Sequence, residues 1–278
     1  MGVMVGVSVF PNVGIAYRLA GLFGAVYVAA ANASVQAHAA TACRFETLHS
    51  GKVAKVLDGR SFVLDDGREV RLAGIEVPAP AQSAETGPHA AAGAAAKAAL
   101  ESIVAGLTVV LHGEPPALRI VAFVEVAGSG VLVAHDLVGQ GHARVAAHVG
   151  PTACATELLG RERMARKAKL GLWADPYYVV AAAENGAELL SGRGSFTVAE
   201  GKVLSVRESG GSIYLNFGRR WSQALTVTIS KLHERTFLAA GLSPKRLENR
   251  VIRVRGWIDE RNGPRIEATR PEQIELAD

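Results

Sequence analysis

Between Val53 and Pro78 the chain reads VAKVLDGRSFVLDDGREVRLAGIEVP, which sets two carboxylates, Asp58 and Glu76, close to two arginines, Arg60 and Arg71. A third arginine, Arg119, follows on a later segment. A guanidinium presents a planar fork of donors that grips phosphate bidentately. Clustered carboxylates are what a hard divalent cation needs, since such ions take several oxygen ligands at short range. The residue types therefore point to phosphate chemistry. Were Asp58 and Glu76 to hold such a cation, Arg60 beside Asp58 would oppose it by Coulomb repulsion. Without a metal no bound water has its pKa lowered, and only arginine stabilises charge developing on phosphate. The blander reading of Arg60 is a turn residue bridged to Asp58 or Glu76.

Short strands must position these groups. Alternation through Val53, Lys55 and Leu57, then Ser61 to Leu64 and Val70 to Leu72, predicts three strands. Asp58-Gly59 and Asp66-Gly67 supply the turns, with each glycine expected at positive φ. Residues 87–105 predict an alanine-rich helix, with Pro88 in its first turn and Gly106 beyond its end. Strands at about 107–112 and 119–126 and helices at 130–141 and 152–170 follow, and Trp173 is expected to cap the core. The basic run RERMARKAK in the last helix predicts a solvated face.

This stretch resembles the staphylococcal-nuclease-like (thermonuclease) family, whose usual form is V-x-D-G-D-T, a hairpin, then R-L-x-x-I-D-x-P-E. Gly87-Pro88 opening a helix, Arg119, GHARV at 141–145 and a helix running into GLWADP at 171–176 fall at the family's spacing, so the resemblance spans roughly residues 50–176. It implies an OB-type five-stranded barrel with helices, nucleic acid as partner, and phosphodiester hydrolysis with Ca2+ or another divalent metal. By that resemblance the metal-ligand positions are those of Arg60 and Glu76, so a metal would have to be held in a rearranged site by Asp58 and Glu76; Arg71, Arg119 and Glu76 would serve catalysis, and Arg71 and Arg119, joined by Arg60, would bind phosphate. The chain departs from the pattern at three places: the second Asp of D-G-D is Arg60, the Asp of I-D-x-P is Glu76, and the Glu after the Pro is Ala79. Loss of a general base removes roughly 10²- to 10⁴-fold in rate, and Glu85 is the nearby acid that would have to replace it. The expectation is a protein that grips nucleic acid or another phosphorylated polyanion and cleaves it weakly or not at all, with no cofactor required. A metal-dependent endonuclease with a rearranged site is the alternative, and a structural role in the cell envelope is the third reading.

Residues 1–42 hold one charge, Arg18, an apolar run from Leu19 to Ala31, and small-residue sites at Ala37-His38-Ala39 and Ala40-Thr41-Ala42. That layout predicts a signal peptide or, if retained, a membrane anchor, and hence a periplasmic, secreted or inner-membrane-anchored protein. An oxidising compartment would allow the two cysteines, Cys43 and Cys154, to pair. Two buried free thiols, or a lipid on Cys43, are the other readings. The eight histidines are scattered, and no Cys/His cluster has zinc spacing.

A composition shift after Pro176 divides the remainder into a thermonuclease-like domain at 43–176, a linker at 177–192 and a smaller OB-like β-barrel domain at 193–278. The fold class is thus mainly β with helices (α+β). The second domain reads as about five strands with a helical insert at 231–249. Residues 1–189 carry 15 Lys and Arg against 16 Asp and Glu, and residues 190–278 carry 15 against 10, so the excess positive charge sits at the C-terminal end. That favours a polyanionic partner. Tyr214, Phe217 and Trp221 surround Arg219-Arg220, the mixture of stacking faces and cations used by single-strand binders. Tyr214 and Phe217 equally fit a core alternation, and Arg253, Arg255, Arg265 and Trp257 suit either a groove or a salt-bridged barrel face.

Overall fold

The structure, a computed structural model, describes Cys43 and residues 46–78, 88–113 and 120–277, which fall within one compact unit, Ala40–Asp278. The N-terminal 42 residues, Ala79, Glu85 and Arg119 lie outside the described residues.

The chain first forms β1 (Thr47–Asp58), β2 (Ser61–Leu64), β3 (Glu69–Leu72) and the short β4 (Ile75–Glu76). Helix α1 (Pro88–Val104) leads into β5 (Thr108–His112) and β6 (Ile120–Val126). The strands close a barrel in the order β1-β2-β3-β6-β5, with β3 parallel to β6 and β5 returning antiparallel to β1. Phe62, Leu64, Val70, Leu72, Val109 and Leu111 fill its core. Register shifts interrupt the alternation predicted through Val53, Lys55 and Leu57. An irregularity that adds a residue to one strand flips the faces beyond it, so Val53 and Val56 are buried while Leu57 is exposed. The two turn glycines also differ from one another. Gly67 has the expected positive φ of 86°, whereas Gly59 does not. Gly59 is there for room: a Cβ on it would lie 2.6 Å from Cβ of Ala96, so α1 packs directly on the Asp58-Gly59-Arg60 turn.

Helix α2 (Val133–Gly139), strand β7 (Arg144–Val145) and helix α3 (Thr152–Lys167) complete this half. β7 pairs with β4 and sets Arg144 opposite Glu76. A disulfide joins Cys43 to fully buried Cys154 on α3.

Residues 177–192, whose composition suggests a linker, are folded. β8 (Ala181–Ala182) runs parallel beside β9 (Phe196–Lys202), and α4 (Gly186–Ser191), capped by Asn185, buries Leu189 in the second core. Small side chains at Ala181 to Ala183 permit this: a Cβ on Gly201 of β9 would meet Ala183 at 2.8 Å. Beyond them come β10 (Ser205–Ser209), β11 (Ser212–Asn216), β12 (Thr226–Ser230), α5 (Lys231–Ala239), β13 (Val251–Trp257), β14 (Asp259–Glu260), β15 (Pro264–Glu267) and β16 (Ile274–Leu276). They form two sheets, β10-β11-β12-β15-β14 and β16-β13-β9-β8. If β9 and β10 are taken as one interrupted strand, the connectivity repeats that of the first barrel. The third strand is followed by a helix and lies parallel to the last, and the fourth returns antiparallel to the first. The difference is a seam: β13 lies against β15 without a hydrogen-bonded ladder between them.

A buried ion network joins the two halves. Arg255 on β13 is 1% exposed and donates from Nη1 to Glu162 Oε2 and from Nη2 to Glu162 Oε1, both at 2.9 Å, while also bonding Glu275 on β16. Glu162 on α3 is fully buried and also accepts from Arg166 at 3.0 Å. Part of the RERMARKAK run therefore faces this junction and not solvent. Beside it Ala165, Trp173 and Val198 form a small apolar cluster.

Candidate functional site

The first hairpin turn carries Asp58 and Arg60, and the Arg60 carbonyl accepts from Leu72 N at 2.8 Å, which ties the turn to the end of β3. β4 then delivers Glu76 to the same place. Arg60 N donates to Asp58 Oδ1 at 2.8 Å, and Arg60 Nη1 donates to Glu76 Oε2. The two side chains of the Arg60–Glu76 pair are only 17% and 16% exposed. Three of the residues expected at the site are thus brought together. Arg71 is half-buried on β3, opposite Ser61 on β2 and Val121 on β6, and is not among the residues lining the cleft described next. Arg119 is outside the described residues.

Asp58, Arg60 and Glu76 form one wall of a cleft of about 280 Å³. The other wall comes from further along the chain: Arg144 on β7, Tyr177 and Tyr178, then Gly194, Ser195, Phe196 and Trp257 from the C-terminal sheets and the loop before them. Arg144 is 7% exposed, and its guanidinium stands 5.4 Å from the ring centre of Tyr178 and 5.1 Å from that of Phe196. Burial pushes the Arg144 guanidinium below its ordinary pKa, with Glu162, Tyr178 and Glu76 opposing that shift and Arg255 adding to it. Burial likewise pushes the Tyr178 hydroxyl up to about 12. The strand that carries Arg144 is held from both sides, because Val145 N donates to Glu162 Oε2 at 2.6 Å and Val145 O accepts from Arg255 at 3.1 Å.

The donor set does not fit a calcium ion. Glu76 already accepts from the Arg60 guanidinium and Asp58 Oδ1 from the Arg60 backbone N–H, so a positive charge is paired to the site's acid, and among the described residues no group of three or more His, Cys, Asp or Glu side chains is arranged to hold a metal. What the arrangement offers is N–H donors on a partly dehydrated surface, which suits an anion.

On the C-terminal sheets, Tyr214 and Trp221 line a groove of about 790 Å³ with Arg207, Arg261, Asn262 and Arg265. Trp221 is 57% exposed, and Arg219 joins it in an adjoining depression. Arg220 is exposed at the start of the same turn. Phe217 corrects the expectation: it is 1% exposed within the second core and has no face to offer a base. Alternation fixes this outcome, with Ile213, Leu215 and Phe217 inward and Tyr214 outward.

Arg144, Tyr177, Tyr178, Gly194, Ser195 and Phe196 are cleft residues that sequence reasoning missed, and Trp257 it left open between a groove and a barrel face. Their proximity depends on how β13 meets α3, and no local pattern encodes that. The one available signal was an arginine on the short GHARV strand segment. No curated protein matches this chain. The family model for staphylococcal nuclease homologues matches residues 69–175, from β3 to the turn after α3, and together with the closed five-stranded barrel this identifies that part of the chain as a staphylococcal-nuclease-like domain.

Proposed function

We propose that this protein is an exported member of the nuclease-like, nucleic-acid-binding group that holds nucleic acid, or a similarly phosphorylated polyanion, with phosphodiesterase activity weak or lost. The observation that carries this reading is the half-buried Arg60–Glu76 pair, which uses the site's carboxylate to neutralise an arginine instead of a metal. Arg60 and Arg144 bring guanidinium groups to this cleft, and Tyr214, Arg219 and Trp221 add a cationic, aromatic groove further along the chain. The Cys43–Cys154 disulfide supports export, since such bonds persist in oxidising compartments.

The test is cleavage and binding of labelled single- and double-stranded DNA and RNA by the full chain, with calcium, with magnesium or manganese, and with EDTA. Binding without cutting is expected, and log K should fall linearly with log salt, by roughly 0.7–0.9 per phosphate neutralised. Metal-dependent turnover abolished by Arg71→Ala would instead establish an active nuclease with a rebuilt site. Absence of any salt-sensitive binding would favour a structural role in the envelope.

A further inference from the structure

The cleft differs from an open nucleic-acid surface in two ways. First, the C-terminal sheets and the loop before them close one side of it through Ser195, Phe196 and Trp257. About 280 Å³ is at the lower end for a small-molecule pocket and matches one nucleotide-sized unit, not a strand passing through. Second, Arg144 is more than nine-tenths buried, yet its Nε has no hydrogen-bond partner among the described residues. Buried polar atoms are almost always partnered, and exceptions ask for an explanation. The flanking rings of Tyr178 and Phe196 fix the guanidinium by cation–π contact without using its N–H donors. The clamp of Glu162 and Arg255 on Val145 removes play from the strand beneath it. At the mouth, Tyr177 and Trp257 remain 49% and 52% exposed, large aromatic faces on either side of a cationic floor.

We propose that the cleft is a site for a terminal nucleotide phosphate, with Arg144 as anchor, Arg60 shared between the ligand and Glu76, and Trp257 and Tyr177 stacking the attached base. This rests on the phosphate-binding reading above and narrows it from a polyanion to the end of one. Asp58 and Glu76 also line the cleft. Binding of the phosphate therefore relies on direct donation from the two forks, not on a general positive field, and a ligand lacking the phosphate keeps only the stacking contribution.

The experiment measures binding of the full chain to one 12-mer sequence in four forms: 5′-phosphorylated, 3′-phosphorylated, hydroxyl-ended and circular. Competition by AMP, adenosine and inorganic phosphate is followed in parallel. At least one phosphorylated linear form should bind tenfold or more tightly than the hydroxyl-ended and circular forms, with AMP competing better than adenosine or phosphate. Trp257→Ala, at an exposed position, and Arg144→Lys, which keeps the charge and loses the fork, should each reduce that preference several-fold, and an unchanged unfolding midpoint for Trp257→Ala excludes misfolding. Circular DNA that binds as tightly as the phosphorylated forms, with Trp257→Ala indifferent, overturns the proposal and leaves general nucleic-acid binding intact. Failure of every form to bind in a salt-sensitive way overturns both.

Discussion

Arg60 decides what the first cleft can do, because its backbone answers Asp58 and its side chain answers Glu76. Replacing it with Asp removes the competing cation and supplies a third acid. Arg60→Asp should therefore show calcium binding by calorimetry where the parent shows none, and Arg60→Asp with Ala79→Glu should raise metal-dependent cleavage by at least about tenfold, a fraction of what a general base contributes. No gain in either, with the fold intact, would mean that Asp58 and Glu76 do not mark the metal position. At this scale the sequence was informative where contacts are local. Asp58 ends β1, Arg60 sits in the turn that follows and Glu76 lies on β4 only 16 residues further on, so their meeting is a short-range one within a single motif. Arg144 meets Tyr178 and Phe196 only through tertiary packing, so the lone arginine in GHARV does not reveal its partners.

Helix α3 links the halves through Glu162. Burial alone would push that carboxyl up, but the charge and paired hydrogen bonds of Arg255, with the Val145 N–H and Arg166, hold it below its ordinary value of 4.5. Removing one partner of such a pair strands the other charge, so Glu162→Gln should lower unfolding free energy by about 3–5 kcal/mol in urea titrations. A carboxyl depressed in the folded state contributes its stability fully above the unfolded pKa and loses it as pH falls through the folded one. Stability should thus decline on acidification below about pH 4.5, and Glu162→Gln should flatten that decline. Strands and helices were legible from period and turn chemistry, since each depends on its own residues. The irregularity in β1 and the folding of residues 177–192 were not, because both depend on which surface the segment meets.

Across the whole molecule, the disulfide closes a stretch of 111 residues between Cys43 and Cys154. Cross-linking so long a loop restricts the unfolded chain, and replacing both cysteines by alanine should lower stability by about 2–5 kcal/mol, read from urea midpoints at constant m-value. The net positive charge of the C-terminal part acts at this scale too, and would steer the proposed polyanion toward the molecule before any contact forms. The junction between α3 and β13 has a consequence for anyone who would dissect this protein. A fragment ending at Pro176 keeps nearly all of the recognisable nuclease-like sequence, yet it deprives Glu162 of Arg255 and strips Phe196 and Trp257 from the cleft in a single cut. The segment that carries the family signature is therefore not the autonomous unit, and activity measured on it would describe a different, exposed surface.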